Sequence, residues 1–381
     1  MSFDFEPKNL PQGLLTIKTP DFYISQPGAI KYAGRYLKDY GKKLLLVGGP
    51  TAISKVKEEL EKSLDEYDLE YSFEEFSGFP SETNISKFAK IAEEKQADLI
   101  VGIGGGRVMD TVKAVGGRIG IPVGTIPTIA ATCASWAAVT ILYDDEGTVV
   151  GAIPNQQTPR VIIADTEVIV NAPERYLFAG IVDTLAKWYE TEPNISVAPK
   201  DITLQQKILT SKIAYDTLTG ELDKTIEDIT AHKVTERSQR AVDAVIYLAG
   251  LVGSLNGVKF YGGVAHGFYN VVTGVPSTRK YLHGERVAFG LALQFVLQKL
   301  PADKLEKELS IFGALKQPVT LEQIGIDDNS KEEAVSFVAD GVSEGLVHVQ
   351  FLPEKYQVEN VKDALFETDR IGREFLKKQI S

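Results

Sequence analysis

The sequence predicts an α/β domain built on a mostly parallel sheet over residues 1–163, followed by an all-α domain over residues 164–381. Three observations carry this. Short buried β-rich runs alternate with amphipathic helical stretches in the first part, and one of those runs delivers three glycines to a helix. Past about Glu174 the apolar periodicity is helical almost throughout. No stretch rich in Gly, Ser or Pro separates the halves, so two closely packed domains with a cleft between them are expected.

Taken in order, Leu44-Leu45-Leu46-Val47 reads as a buried strand ending in Gly48-Gly49-Pro50, and Thr51 to Leu64 carries charge at helical spacing. Asp98 to Ile103 is a second buried strand that runs into Gly104-Gly105-Gly106, with a helix from Arg107 to Val115 behind it. Ile121 to Pro127 is a further strand with a loop at its carboxyl end, which makes the order βαβαβ. Val139 to Leu142 and Val149 to Ile153 read as a hairpin about the turn Asp144-Asp145-Glu146-Gly147, and Val161-Ile162-Ile163 is the last β-like run. Helices are expected at Ile181–Glu190, Lys200–Leu218, Glu236–Lys259, Glu285–Lys299 and Val361–Lys378.

Composition narrows the partners. A formal charge of −11 over 381 residues argues against a broad phosphate-binding surface, so nucleic acid is not an expected partner and any anionic ligand must be held by local donors. The single cysteine, Cys133, has no internal disulfide partner, and Met1 to Glu6 lacks a basic region followed by an apolar core. The cytoplasm is the expected address. No apolar run approaches the roughly 20 residues that span a bilayer, so no membrane association is expected either.

Two features carry chemistry. A strand that hands Gly104-Gly105-Gly106 to a helix N-terminus lets backbone approach a diphosphate, and the free amides and helix dipole favour its charge. The spacing is neither Gly-x-Gly-x-x-Gly nor a P-loop, and glycines at such turns also serve packing. Separately, two of the four histidines, His266 and His283, with Asp183 upstream, make a three-ligand set for a divalent metal with coordination positions left open. Each has a plainer reading: His266 as a satisfied core residue, His283 as the start of a helix with Glu285 in its first turn, and Asp183 as the i, i+4 ion-pair partner of Lys187. The combination is what points to a site. His232 and His348 fall outside it and read as surface or structural residues.

Four segments in order, Gly104-Gly105-Gly106-Arg107-Val108-Met109-Asp110-Thr111-Val112-Lys113, Pro127-Thr128-Ile129-Ala130-Ala131-Thr132, Ala179-Gly180-Ile181-Val182-Asp183-Thr184-Leu185-Ala186 and His283-Gly284-Glu285-Arg286-Val287-Ala288-Phe289-Gly290, resemble the motifs of the iron-containing alcohol dehydrogenase superfamily, glycerol dehydrogenase branch. The resemblance runs from Tyr23 to about residue 295. It implies a Rossmann-like N-terminal domain and a helical C-terminal domain, the architecture shared with dehydroquinate synthase. It also implies NAD or NADP as cofactor and a divalent metal held by Asp183, His266 and His283, with zinc the usual ion in this branch and iron the other choice. By the same match Gly105, Gly106, Arg107 and Asp110 would lie against the cofactor phosphates and ribose, Thr128, Val139 and Tyr143 would lie along the nicotinamide half, and Gly49, Ala131 and Ala137 would complete the cofactor set. The family usually assembles into homo-oligomers.

Departures from the pattern refine the expectation. Glycerol dehydrogenases commonly carry Thr-Asp-Ala-Pro where this chain reads Thr132-Cys133-Ala134-Ser135, so a polyol hydroxyl loses its acceptor. That wording, with Asp183-Thr184-Leu185-Ala186-Lys187-Trp188-Tyr189-Glu190, is similar to the hydroxycarboxylate dehydrogenase subgroup. Cys133 in place of a carboxylate removes repulsion against an anionic substrate, and Trp136 supplies an apolar wall or is simply a core aromatic, as Trp188 is. The expected substrates are therefore 2-oxo and 2-hydroxy acids, with glycerol as the alternative and a dehydroquinate synthase-like lyase behind both. The strand ending Val47-Gly48-Gly49-Pro50-Thr51 offers no carboxylate to a ribose 2′-hydroxyl, so NADP should be tolerated. Tyr269 stands where many relatives have a second histidine, which alters the path of a proton to solvent but not the metal set.

Overall fold

The computed structural model describes residues 16–155, 158–256, 261–346, 349–352 and 356–380, so His348 lies outside the described residues. The first part runs β1 (Thr16–Ile17), β2 (Phe22–Gln26), α1 (Ala33–Leu37), β3 (Lys43–Gly48), α2 (Pro50–Asp65), β4 (Glu70–Glu75), α3 (Glu82–Glu94), β5 (Leu99–Gly104), α4 (Gly106–Ile119) and β6 (Val123–Pro127). The hairpin of β7 (Val139–Tyr143) and β8 (Val149–Pro154) follows, then β9 (Val161–Asp165). Six strands form one sheet in the order β2-β9-β6-β5-β3-β4, every pair parallel.

Side chains alternate across a strand, so a sheet covered on both faces needs continuous apolar runs. Leu44 and Leu46 pack with Leu37, Val56 and Leu60 of α1 and α2, while Leu45 and Val47 pack with Phe88, Val108, Met109 and Val112 of α3 and α4. The chain steps outward from β3 to β4, crosses back to β5 and continues to β6. The direction therefore reverses between β3 and β5, and a crevice opens where α2 and α4 leave their carboxyl ends, the place where such sheets bind ligands.

The strands expected from Leu44, Asp98, Ile121 and Val161 are all present, as is the hairpin, which pairs antiparallel from Val139–Pro154 onward. β2, β4 and α3 enlarge the four-strand expectation; β2 and β4 are the two edges. β9 continues to Asp165, beyond the boundary expected at residue 163, and one hydrophobic cluster joins Ala130, Trp136, Ile162 and Ala164 to the helical half.

That half comprises α5 (Thr166–Val170), α6 (Glu174–Thr191), α7 (Ile202–Thr219), α8 (Leu222–Thr230), α9 (Glu236–Asp243), α10 (Ala249–Ser254), α11 (Val264–Val272), α12 (His283–Leu297), α13 (Ala302–Ala314), α14 (Lys331–Gly345) and α15 (Val358–Ile380). The helices expected at Ile181, Lys200, Glu285 and Val361 correspond to α6, α7, α12 and α15. The one expected over Glu236–Lys259 does not hold as a single helix. A π-helical turn at Ala244–Leu248 separates α9 from α10, and the chain then forms β10 (Leu255–Asn256), antiparallel to β1; residues 257–259 lie outside the described residues. The wide turn falls where Asp243 is tied to β2, accepting from Tyr23 at 2.7 Å and Ser25 at 2.5 Å, and where Tyr247 packs on Trp136. No described helix is long and apolar enough to cross a membrane.

Candidate active site

Three helices bring the titratable groups together. Asp183, Lys187 and Glu190 form one stripe on α6, His266 lies in the first turn of α11, and His283 opens α12. Close packing makes the meeting possible: a Cβ on Gly284 would fall 1.9 Å from the Ala179 carbonyl oxygen, so only glycine lets α12 approach α6 this closely. One ligating atom each from Asp183, His266 and His283 lies within 4.8 Å of the others, although the residues are 83 and 100 positions apart. The Nε2 atoms of His266 and His283 sit 3.1 and 3.2 Å from Asp183 Oδ1.

Donor chemistry decides what this cluster can hold. Two imidazole nitrogens and one carboxylate oxygen converging on one point, with each ring half-buried and the carboxylate 1% exposed, suit zinc or ferrous iron and leave room for further oxygen ligands. Behind it, Glu190 accepts from the His266 backbone N–H at 3.0 Å and pairs with Nδ1 at 2.5 Å. That contact puts the proton on Nδ1 and turns Nε2 toward Asp183. A cation already stands there. The Lys187 ammonium lies 2.9 Å from His266 Nε2 and 3.3 Å from Asp183 Oδ1.

Electrostatics follow from that crowding. Burial opposes charge on Asp183, but Lys187 and the two rings outweigh it and hold the carboxyl well below its ordinary range. Burial likewise disfavours a charged His266, yet Glu190 prevails and raises its pKa to about 9. For His283 burial wins and the pKa falls. Cys133 feels the charges of Lys187 and Asp183, and burial pushes its thiol up, so it stays uncharged at neutral pH.

The crevice between β3 and β5 holds the second group of expected residues. Gly104, at φ 145, turns the chain into α4, and the Gly106 and Arg107 amides precede the first helical bond, from Met109 N–H to the Gly105 carbonyl. Those free donors suit a diphosphate. Arg107 stacks its guanidinium 4.2 Å over Phe79, which in turn stacks on Tyr143. At Gly49 a side chain would meet nothing nearer than the Phe76 carbonyl at 3.9 Å, so the space beside β3 is open; Glu75, exposed at the end of β4, is in register with Gly48.

Asp110, expected against the cofactor phosphates and ribose, already has partners within the protein. It is buried, with Oδ1 2.8 Å from Lys113 and Oδ2 accepting from the Ile141 amide at 3.3 Å. Lys113 also donates to the carbonyls of Ala137 at 3.0 Å and Val139 at 2.6 Å. This pair shapes the loop that carries Thr128, Ala131, Cys133, Ala137 and Val139. Trp136, 5% exposed and packed on Tyr23 and Tyr247, is a core aromatic, while half-buried Trp188 packs on Tyr215. His232 bonds the Val170 carbonyl through Nδ1 at 2.9 Å, a structural contact.

Tyr143 and Tyr269 share a hydrogen bond of 2.5 Å, and the Tyr269 ring meets His283 edge-on with centroids 4.1 Å apart. Arg286 lies 4.8 Å over the Tyr269 ring, 6% exposed, with Nε and Nη1 lacking a hydrogen-bond partner among the described residues. A buried guanidinium with two orphaned donors beside the crevice fits an anionic ligand. Glu190, Lys187 and Arg286 were not assigned roles from sequence. The signal for the first two was their spacing from Asp183 on one helix face.

Comparison with known proteins places these features in a lineage. Residues 20–166 match the family model for iron-containing alcohol dehydrogenase. A glycerol dehydrogenase of Escherichia coli O6:H1 is 31% identical over 95% of this chain and 98% of its own length. Hydroxycarboxylate dehydrogenase A of Escherichia coli K12 is 30% identical over 84% of this chain and 88% of its own. The crystal structure of a probable glycerol dehydrogenase from Sinorhizobium meliloti 1021 superposes with a TM-score of 0.84 at 26% identity, covering 94% of this chain and 99% of that one. With the family model on the sheet half and full-length relatives spanning both halves, the chain belongs to the iron-containing alcohol dehydrogenase family and is an oxidoreductase acting on alcohol groups.

Proposed function

We propose that this enzyme is a metal-dependent, NAD(P)-linked dehydrogenase that interconverts 2-oxo and 2-hydroxy acids. The observation that carries the reading is the loop thiol of Cys133, which lies within electrostatic reach of Asp183 and Lys187 and carries no charge of its own. An anionic substrate meets no repulsion from that wall. Asp183, His266 and His283 would hold the ion, and the α4 N-terminus with Gly105, Gly106 and Arg107 would hold the cofactor diphosphate, with Thr128, Ala131, Ala137, Val139 and Tyr143 toward the nicotinamide. When bound, a zinc or ferrous ion polarises the substrate oxygen while the nicotinamide exchanges hydride with the neighbouring carbon.

The protein's own groups supply orientation. Glu190 keeps the His266 proton on Nδ1, and the Asp110–Lys113 pair fixes the loop that lines the nicotinamide half. Tyr143 and Tyr269 keep their phenolic protons, since burial raises both pKa values, and hold one between them beside His283. The division at residues 163 and 164 into a cofactor half and a metal half, a cytoplasmic address and homo-oligomeric assembly belong to the same reading; light scattering tests the last. The open space at Gly49 supports use of NADP, and turnover with NADP below one tenth of that with NAD at matched concentrations would remove this element.

Glycerol oxidation is the second reading, favoured by the relatives named glycerol dehydrogenase. One experiment separates the two: metal-stripped enzyme reloaded with zinc or iron, assayed with NAD and NADP against glycerol, simple diols and 2-oxo acids. Robust glycerol oxidation without turnover of 2-oxo acids overturns the acid assignment. Absence of any net NADH change with all of them would point instead to a lyase that recycles its cofactor.

A further inference from the structure

We propose that Lys187 receives the carboxylate of the substrate and is the residue that selects an anionic carbonyl compound over a neutral one. The proposal rests on the 2-oxo acid reading above and adds to it a specific anchor. The Lys187 ammonium lies 2.9 Å from His266 Nε2 and 3.3 Å from Asp183 Oδ1, and both atoms belong to the set that would hold the metal. An ion on that set would claim both atoms and repel the ammonium that now lies beside them. The side chain is only 17% exposed, so water cannot fully replace what is lost. A buried ammonium without a partner is costly.

Among the described residues, the acidic groups that act most strongly on Lys187 are already engaged or neutral. The acidic groups whose charge reaches Lys187 are Asp183, Glu190 and Cys133. Asp183 is committed to the two imidazoles, and both Glu190 oxygens are engaged by His266, one by its backbone N–H and one by Nδ1. Cys133 is a neutral thiol, its pKa raised by burial. The missing negative charge must therefore arrive with the ligand. A carboxylate next to the reacting carbon would supply it beside the ammonium, whereas a polyol would not.

The test compares wild type, Lys187→Met, Lys187→Gln and Lys187→Arg, each reloaded with zinc and checked for zinc content and melting temperature. Pyruvate and hydroxyacetone are matched probes that differ in the charge next to the carbonyl. The ratio of kcat/KM for pyruvate to that for hydroxyacetone should fall at least about tenfold in the Met and Gln variants, through KM, and recover in the Arg variant. Binding of oxamate to the zinc- and NADH-loaded protein, followed by NADH fluorescence, should weaken in parallel. If both probes lose efficiency together, or oxamate affinity does not change, Lys187 is only a structural ion-pair partner and the proposal is overturned while the acid assignment stands. If wild type neither reduces pyruvate nor binds oxamate, the acid assignment itself fails, and the anchor with it.

Discussion

Glu190→Gln isolates what the carboxylate behind His266 does, because it removes the charge and keeps the shape. Glu190 takes two contacts from one residue, the His266 backbone N–H at 3.0 Å and Nδ1 at 2.5 Å. Two effects then oppose each other. Outer partners of metal-bound imidazoles support affinity by about 10–100-fold, or about 1.4–2.7 kcal/mol, and that support is lost. Against this, burial alone would lower the His266 pKa, but Glu190 raises it to about 9 in the metal-free protein. At pH 7.5 the wild-type ring holds a proton that an incoming ion must displace, a penalty on the order of thirtyfold for a gap of about 1.5 pH units. Raising the pH removes that proton, so wild-type affinity climbs toward pH 9 and levels off above it. The Glu190→Gln protein loses penalty and support together. Zinc affinity, measured on stripped protein by competition with a chromogenic chelator, should be about 10–100-fold weaker than wild type at pH 9.5, with the gap nearly closed at pH 7.5. A gap of equal size at both pH values would refute the proton-competition argument.

Arg286→Met removes a buried guanidinium whose Nε and Nη1 have no partner; unfolding in urea should show stability unchanged or raised by about 1–3 kcal/mol, while NAD(P)H affinity by fluorescence titration falls. Lower stability with intact cofactor binding would show that Arg286 serves the fold. Lys113→Met leaves the Asp110 carboxylate buried and unpaired and should cost about 3–5 kcal/mol in the same unfolding experiment, with much of the loss recovered when Asp110→Asn is added. Gly284→Ala sets a methyl group 1.9 Å from the Ala179 carbonyl oxygen, so α12 must move off α6. A loss of about 1–3 kcal/mol should accompany weaker zinc binding, as His283 leaves Asp183; unchanged zinc affinity would mean that the helices adjust without moving the ring.

Legibility in the sequence followed burial. The runs Leu44 to Val47 and Leu99 to Ile103 announce themselves because helices cover both faces of their strands, which demands unbroken apolar text. β4 reads Glu70-Tyr71-Ser72-Phe73-Glu74-Glu75 and escapes notice because it is an edge strand with its charges in solvent or paired, as Glu74 is with Lys95. β2, the other edge, reads Phe22-Tyr23-Ile24-Ser25-Gln26, and it is hidden because it is short and nowhere fully buried. The chemistry of the site was readable as residue types, but Asp183, His266 and His283 meet only through the packing of α6, α11 and α12. Lys187 and Glu190 looked like one more charged helix face, and the sequence could not say that this face is turned inward. The buried pairing of Asp110 with Lys113 at i+3, and the reach of Lys113 to the carbonyls at residues 137 and 139, were hidden for a related reason, since a loop distant in the chain supplies those carbonyls.

The inward stripe on α6 is itself an argument for function. Two carboxylates, an ammonium and two imidazoles gathered in the interior are a poor device for stability, since desolvating each charge costs several kcal/mol and apolar side chains of similar volume often do as well or better. The helix that carries them shows the alternative at the positions around them, where Phe178, Ile181, Val182 and Leu185 fill the core at 0–1% exposure. A purely structural α6 could have continued that pattern through positions 183, 187 and 190. Instead the stripe holds a carboxylate kept ionised, a ring nitrogen aimed at it, and a cation lodged between them, an arrangement that balances charge only provisionally. On the proposed reading, a metal ion held by Asp183, His266 and His283 and an anion beside Lys187 would complete this balance, and the metal, the substrate charge and the neutral thiol of Cys133 would then belong to one design rather than three.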